Sequence, residues 1–208
     1  MLGIDLQNCS DTIQVGKETY KGEFIKMKYT IDNLKQDFQK GKRIKYLFFW
    51  GHQPSRDGGI TKTCLSQWWK ANFVIDGYTY CCMEQYMMAE KARLFKDNET
   101  LDEIMKSSQP KQIKTLGRKV KNFDEELWIK SRYSIIVKGN YAKFTQNENL
   151  KEFLIQTKDR VLVEASPYDR IWGIGMSKDD PNIENPLYWK GSNLLGFALM
   201  EVRDKILS

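Results

Sequence analysis

The stretch Tyr78 to Phe95, YTYCCMEQYMMAEKARLF, constrains this chain more than any other. Stepping about 100° per residue from Met83, its side chains Met83, Met87, Met88, Leu94 and Phe95 fall within roughly 140° of arc, the pattern of a helix with an apolar stripe. Glu84 and Lys91 land in the middle of that arc. Seven residues is almost two helical turns, so the pair lies about 20° apart around the axis and about 10 Å apart along it. Gln85, Tyr86, Ala89, Arg93 and Lys96 fill the remaining circumference, and a solvent-facing polar side is expected there. An acid and a base therefore stand where the pattern asks for apolar residues. Buried charge is costly unless it is paired or used. The two residues read as a structural ion pair, as long side chains reaching past the core, or as a site walled by methionines that can adapt to a ligand.

A chain of 208 residues suits one domain with a real core. Residues 1–28 carry no sustained period and are expected to form a mobile arm or a short hairpin around ETYKGEF, ahead of a domain over residues 29–208. The net charge of +6 and pI near 9.0 invite an anionic ligand, but Lys and Arg are interleaved with Asp and Glu throughout. That scatter favours a phosphate-bearing ligand over a dedicated nucleic-acid surface. Cys9, Cys64, Cys81 and Cys82 form no CxxC, and His52 is the only histidine, so reduced thiols, no metal and no cofactor are expected. No apolar run reaches membrane-span length and the first residues lack a signal pattern, which predicts an intracellular protein with no membrane partner.

Along the chain, Thr30 caps a short amphipathic helix that stops at Gly41. Ile44 to Trp50 reads as a buried strand running into Gly51 and His52, a common pocket edge, with the polar loop Gln53 to Thr63 as a candidate lid. Trp68 belongs to a short aromatic turn, followed by a hairpin around Asp76-Gly77. Helix starts fall at Asn98 to Thr100, at Gln109-Pro110, at Asp124 and at Asn147. The longest helical pattern follows Asp124 and aligns Trp128, Arg132, Ile135 and Ile136 on one face. In RVLVEASPYDRIWGIGM a strand and a turn deliver Glu164 and Asp169, with Trp172 and Gly173 beside them. Ser192 or Asn193 caps an apolar helix after Gly191, a start that can hold phosphate or simply cap a core helix.

These pieces, in order, carry a family resemblance: YLFFWGH, LSQWW, EQYMMAEKA, LGRKV, W-x3-R, AKFTQN, VLVEASPYDRIWGIG and GSNLLGFALM, spanning roughly residues 45 to 203. The sequence resembles the NADAR family, also called YbiA-like. The resemblance implies a compact, mainly helical α+β single domain with a small β-sheet, and an N-glycosidase activity on one of two substrate classes. One is ADP-ribose attached to guanine bases, with ADP-ribosylated DNA or RNA among the partners. The other is phosphorylated riboflavin-pathway intermediates. By motif, the family's functional glutamate falls on Glu84, its tryptophan on Trp128, its aspartate on Asp169 and its central-helix lysine on Lys91.

Breaking a ribosyl C–N bond develops positive charge on the sugar. A carboxylate near C1 stabilises it while a second group protonates the base or guides water, and Glu84 with Asp169 are the candidates. Lys91 either holds Glu84 or attacks the ribose carbon as an amine to form an imine. Trp128 and Trp172 offer stacking faces. Arg118, Arg132, Lys143 and the Gly191 to Asn193 helix start are candidate phosphate ligands. Trp50, Gly51, His52, Trp68, Glu164 and Gly173 complete the expected substrate-binding set. ADP-ribosyl-guanine uses a stacked base, a phosphate site and a carboxylate pair together. A non-catalytic ADP-ribose-binding module is the alternative of another class.

Overall fold

Seven helices and three two-stranded ladders make up the regular structure of the described residues in this computed structural model, apart from two short 3-10 turns. It describes residues 12–15, 18–21 and 27–208, the first two segments as backbone alone. Strand β1 (Thr12–Val15) pairs antiparallel with β2 (Glu18–Lys21), so the ETYK half of the expected hairpin motif is a strand. The rest of that motif lies outside the described residues.

Helix α1 (Ile31–Gln39) starts where Thr30 Oγ1 accepts from the Asn33 N–H at 3.1 Å. Strand β3 (Tyr46–Phe49) then pairs in parallel with β6 (Val161–Glu164), with Phe49 opposite Glu164. Parallel strands end on the same side, so Trp50-Gly51-His52 and Glu164 emerge together at the carboxyl edge of this ladder. Gly51 has φ +81°, a left-handed turn that glycine adopts without a Cβ clash. Strands β4 (Phe73–Ile75) and β5 (Tyr78–Tyr80) form the hairpin around Asp76-Gly77, both at positive φ as a two-residue turn of this hand requires.

Helix α2 (Met83–Leu94) is the axis of the domain. Around it pack α3 (Asn98–Lys106), α4 (Pro110–Gly117) and the long α5 (Glu125–Thr145); α6 (Glu148–Gln156) follows against α5, and α7 (Leu194–Leu207) covers both α5 and β6. Most of the polar side expected on α2 does not face solvent, although Arg93 is partly exposed and Lys96, just past the helix, is exposed. Gln85 is buried, accepting from the Cys81 N–H at 2.8 Å and donating to the Ser107 carbonyl at 2.9 Å and the Ile104 carbonyl at 3.1 Å, and Tyr86 and Ala89 are fully buried. With helices on several sides, the apolar stripe records only one of the faces that α2 buries. Close approach is built in: a Cβ on Gly117 of α4 would sit 1.9 Å from the Met88 sulfur, and one on Gly196 of α7 would sit 2.0 Å from the Leu162 carbonyl oxygen.

The cysteines Cys64, Cys81 and Cys82 are free thiols, with the neighbouring Cys81 and Cys82 sulfurs 3.9 Å apart. Among the described residues no helix is long and apolar enough to cross a membrane.

Candidate active site

A cleft of about 910 Å³ opens at the carboxyl edge of the β3–β6 ladder. Its walls come from the chain after β3 (Trp50, Gly51, His52), the aromatic turn (Gln67, Trp68), α2 (Glu84, Met87, Met88, Lys91), α4 (Lys114, Gly117), the head of α5 (Trp128) and the segment from Glu164 to Trp172. The parallel register brings the two strand ends out on one side of the ladder, and the close approach of Gly117 to Met88 holds α4 against α2.

Glu84 is 3% exposed, in the first turn of α2. The Trp68 indole N–H donates to its Oε2 at 3.2 Å, while Oε1 is buried with no hydrogen-bond partner. Burial pushes its pKa up to about 7, against the pull of Lys114 and of the Trp68 bond. Glu164 is enclosed at the end of β6 but still presents surface to the cleft, and its Oε2 is buried without a partner. Desolvation, reinforced by Asp169, pushes it up to about 8. Asp169 is anchored differently: its Oδ1 accepts from the Ile171 N–H at 2.9 Å and the Trp172 N–H at 2.8 Å, ordering the turn. It serves that turn and lines the cleft at once.

Lys91 does not pair with Glu84. Two turns further along the same face, its Nζ donates to the Gly117 carbonyl at 2.9 Å and lies 4.2 Å from the centre of the Phe123 ring and 5.7 Å from that of Trp128. Burial alone lowers its pKa. The ion-pair reading of the two residues is therefore set aside, and so is a role for Lys91 in holding Glu84. Both side chains face one cavity as separate groups.

A family model of the NADAR domain matches residues 48–207. The chain belongs to the NADAR domain family. It is 42% identical over 168 residues to "N-glycosidase R617" of Acanthamoeba polyphaga mimivirus, covering 77% of this chain and 96% of that protein. It is 30% identical over 132 residues to "N-glycosidase YbiA" of Escherichia coli, covering 64% of this chain and 74% of the relative. The NMR structure of the E. coli protein YbiA superposes with a TM-score of 0.63 at 26% identity, over 79% of this chain and 86% of that one. The α+β, mainly helical NADAR fold expected from the motifs is the fold observed, its strands divided among separate ladders.

The four positions singled out by the NADAR motifs, Glu84, Lys91, Trp128 and Asp169, all line the cleft. Trp50, Gly51, His52, Trp68, Arg118, Glu164 and Trp172 line it with them. His52 packs edge-on against Trp68 with ring centres 5.3 Å apart, and burial lowers its pKa.

Other expected ligands are placed elsewhere. Lys143 is fully buried, donating to the Cys64 carbonyl at 2.7 Å and the Ser66 carbonyl at 3.0 Å, so it pins the turn behind the cleft instead of meeting a phosphate. The helix start at Gly191 to Asn193 is no phosphate site. The N–H groups of Ser192, Asn193, Leu194 and Leu195 already donate to the carbonyls of Arg170, Gly173, Ile171 and Trp172. The Asn193 amide is spent on β6, accepting from the Glu164 N–H at 3.0 Å and donating to the Leu162 carbonyl at 2.9 Å. Gly191 and Gly173 pack against each other, leaving 2.3 Å between a Cβ on Gly191 and the Gly173 carbonyl, and neither borders the cleft. Arg132 is half-buried off the cleft, near enough to feel the charge of Asp169. Of the loop expected as a lid, only Gln53 reaches the cleft; Ser55, Asp57 and Gly59 hydrogen-bond among themselves.

Sequence reasoning passed over Lys114, Arg170 and Tyr168, which also line the cleft. Lys114 stands four residues before Arg118, one turn along the same helical face, and that spacing was a usable signal. Tyr168 is an aromatic residue in a turn between Pro167 and Asp169, where packing gives it nothing to bury against.

Proposed function

We propose that this protein is an N-glycosidase that hydrolyses the bond between ADP-ribose and a guanine base, with residues 29–208 as the catalytic unit and residues 1–28 as an appended arm. The observation that carries the reading is one cleft in which two desolvated carboxyls, indole faces and several cations meet. N-glycosidase chemistry is supported by the names of the relatives R617 and YbiA and by carboxyls held in surroundings suited to acid–base work near neutrality. The ADP-ribosyl class is supported by size and charge. A volume of about 910 Å³ is at the upper end of the roughly 300–1,000 Å³ usual for ligand pockets. Lys114, Arg118 and Arg170 supply cations for a diphosphate.

In this mechanism the base sits against Trp128 or Trp172. Positive charge growing at the sugar carbon is met by Glu84. The Lys91 amine, made more available by burial, attacks that carbon as the C–N bond to the base breaks, and a proton goes to the departing nitrogen. The ring opens to an imine. Water directed by Asp169 hydrolyses it, releasing ADP-ribose and restoring the amine. The reaction consumes water and needs no cofactor.

The test is to incubate the protein with DNA and RNA oligonucleotides ADP-ribosylated on guanine, and in parallel with a phosphorylated riboflavin-pathway intermediate, and to follow products by mass spectrometry. Release of ADP-ribose and unmodified guanine is expected. Tight binding of ADP-ribose with the guanine adduct left intact defeats the reading, and cleavage of the riboflavin intermediate alone moves the substrate to the other class. A binding module without catalysis would show no turnover and an affinity unchanged by Glu84→Gln.

A further inference from the structure

The cleft holds three carboxyls, and the scheme above leaves one of them idle. Glu164 is the least solvated by the protein. Its main chain is clamped, the N–H donating to Asn193 Oδ1 at 3.0 Å and the carbonyl accepting from the Ile174 N–H at 3.0 Å. Gly173 packs so closely on that carbonyl that a Cβ would lie 2.8 Å away. A side chain on so fixed a backbone, at the end of a buried strand, has little freedom to swing to water.

Its carboxyl has been given a place and no donors. Glu84 receives the Trp68 N–H, and Asp169 receives two backbone N–H groups, whereas Glu164 Oε2 is buried without a partner. A carboxylate deprived of donors pays a desolvation cost that the neutral acid largely avoids. The charged groups facing Glu164 sharpen this. Glu84 from α2 and Asp169 from the following turn repel a negative charge on it, and Lys114 from α4 opposes them. Elsewhere around the cleft stand His52 after β3 and Lys91, Arg118 and Arg170, while α7 contributes the uncharged Asn193.

We propose that Glu164 is a catalytic residue of this cleft, the neutral acid that gives its proton to the departing base, while Glu84 remains the carboxylate beside the sugar carbon. This rests on the N-glycosidase reading. As the sugar–base bond breaks, its electron pair goes to the base nitrogen, the Glu164 O–H proton moves to that nitrogen, and Glu164 is left as a carboxylate. The water that later adds at the sugar carbon returns a proton to it. The balance of burial and neighbours is consistent with that division, with Glu164 pushed up to about 8 and Glu84 to about 7. Two carboxyls whose surroundings separate their titrations are the usual way to divide acid from base.

An acid is needed only when the leaving group is poor, and this supplies the test. Wild type, Glu164→Gln, Glu164→Asp and Glu84→Gln are assayed on an ADP-ribosyl-guanine oligonucleotide and on the 4-nitrophenyl glycoside of ADP-ribose, whose phenolate leaves without protonation. Glu164→Gln is expected to lose about 10²-fold or more in kcat on the guanine substrate, and only a few-fold on the nitrophenyl substrate. Its kcat profile on guanine should lack the alkaline fall that wild type shows. Glu164→Asp, an acid one methylene shorter, should lose less and keep that fall. Glu84→Gln should suffer on both substrates. Equal losses for Glu164→Gln on the two substrates, or an unchanged alkaline limb, overturn the assignment. Wild type inactive on both substrates overturns instead the ADP-ribosyl reading of the cleft on which this assignment is tested. Melting curves at pH 5, where Glu164 holds its proton in the folded chain, and ADP-ribose affinity of the glutamine variant separate a folding defect from a chemical one, and both are expected to match wild type.

Discussion

Lys91 and Lys143 are both lysines withdrawn from water, Lys91 in part and Lys143 entirely, and they do opposite things. Lys143 is 0% exposed, and its ammonium donates to the Cys64 and Ser66 carbonyls, so it replaces a missing patch of backbone hydrogen bonding behind the aromatic turn. Lys91 makes one such bond, to Gly117, and turns the rest of its nitrogen to a cavity and two aromatic faces. Burial lowers the pKa of both, Lys143 to about 8. Orphaned atoms also occur away from the cleft, at Asn140 and Glu201, so what marks a site residue here is an unfinished set of partners together with a place on the cleft, where something else can complete it. Asn193, with both ends of its amide bonded, falls on Lys143's side; Glu84 and Glu164, each with an orphaned oxygen, fall on that of Lys91.

The strongest way to break this division is at Glu84. Glu84→Gln keeps the shape and the Trp68 contact but removes the charge, and kcat on the cleaved substrate is expected to fall about 10³-fold, roughly 4 kcal/mol of barrier. The melting temperature should not fall, since the variant no longer buries an ionisable group. A variant that melts well below wild type while retaining its turnover would place Glu84 among the struts.

The mirror experiment is Lys143→Met. It leaves two buried carbonyls without a donor, and chemical denaturation should report a loss of about 3 kcal/mol. Turnover per folded molecule should be nearly unchanged. Lys91→Met is expected to do the reverse, staying within about 1 kcal/mol of wild-type stability while losing turnover.

How far the sequence carried this division can be seen residue by residue. The apolar arc of α2 put Glu84 and Lys91 on one face, and they do share a cleft. The same arc misjudged the opposite side, because a period tells which residues face together and not how many neighbours surround a helix; α3, α4 and α5 all pack on α2. Caps at Thr30 and Asp124 and the Asp76-Gly77 turn were legible because they are local. The supposed phosphate site before α7 was not, since its N–H groups are satisfied by carbonyls of a loop some twenty residues upstream in the chain, a match made only by tertiary packing. The role of Lys143 is hidden from the sequence for the same reason: its carbonyl partners lie nearly eighty residues away.

A pH series sharpens the comparison with a smaller effect. Glu84 and Glu164 keep their protons in the folded chain to about 7 and about 8, against 4.5 for an ordinary glutamate. Between 4.5 and 8 the native state therefore binds more protons than the unfolded one, and stability falls as pH rises through that window. Lys143 acts with the opposite sign at higher pH. Its folded pKa of about 8 lies below the ordinary 10.5, so the unfolded chain binds more protons between those values and stability climbs. Denaturation at pH 5 and pH 8 should show wild type losing on the order of 2 kcal/mol relative to Glu164→Gln. Parallel curves for the two proteins would mean that Glu164 is charged in the native state throughout.

The smallest effect tests where the cleft stops. Tyr168 is 88% exposed and Trp50 is 50% exposed, yet both border the cavity whose floor holds Glu84 and Glu164. Packing does not explain Tyr168, which hides almost none of its ring, and under the proposed function the exposed aromatic faces on the cleft shared with Arg118 and Arg170 would stack bases next to the modified one. Tyr168→Ala should leave the melting temperature unchanged. It should raise KM about five-fold, roughly 1 kcal/mol, for an ADP-ribosylated oligonucleotide, because stacking is worth about 1–3 kcal/mol per base. The same substitution should leave KM unaltered for the ADP-ribosyl-guanosine mononucleotide, which has no flanking base to place there. An equal rise on both substrates would make Tyr168 part of the floor, gripping the ADP-ribosyl group itself. No rise on either would restrict the substrate to what the enclosed cavity holds, and with it remove the argument for a polymer.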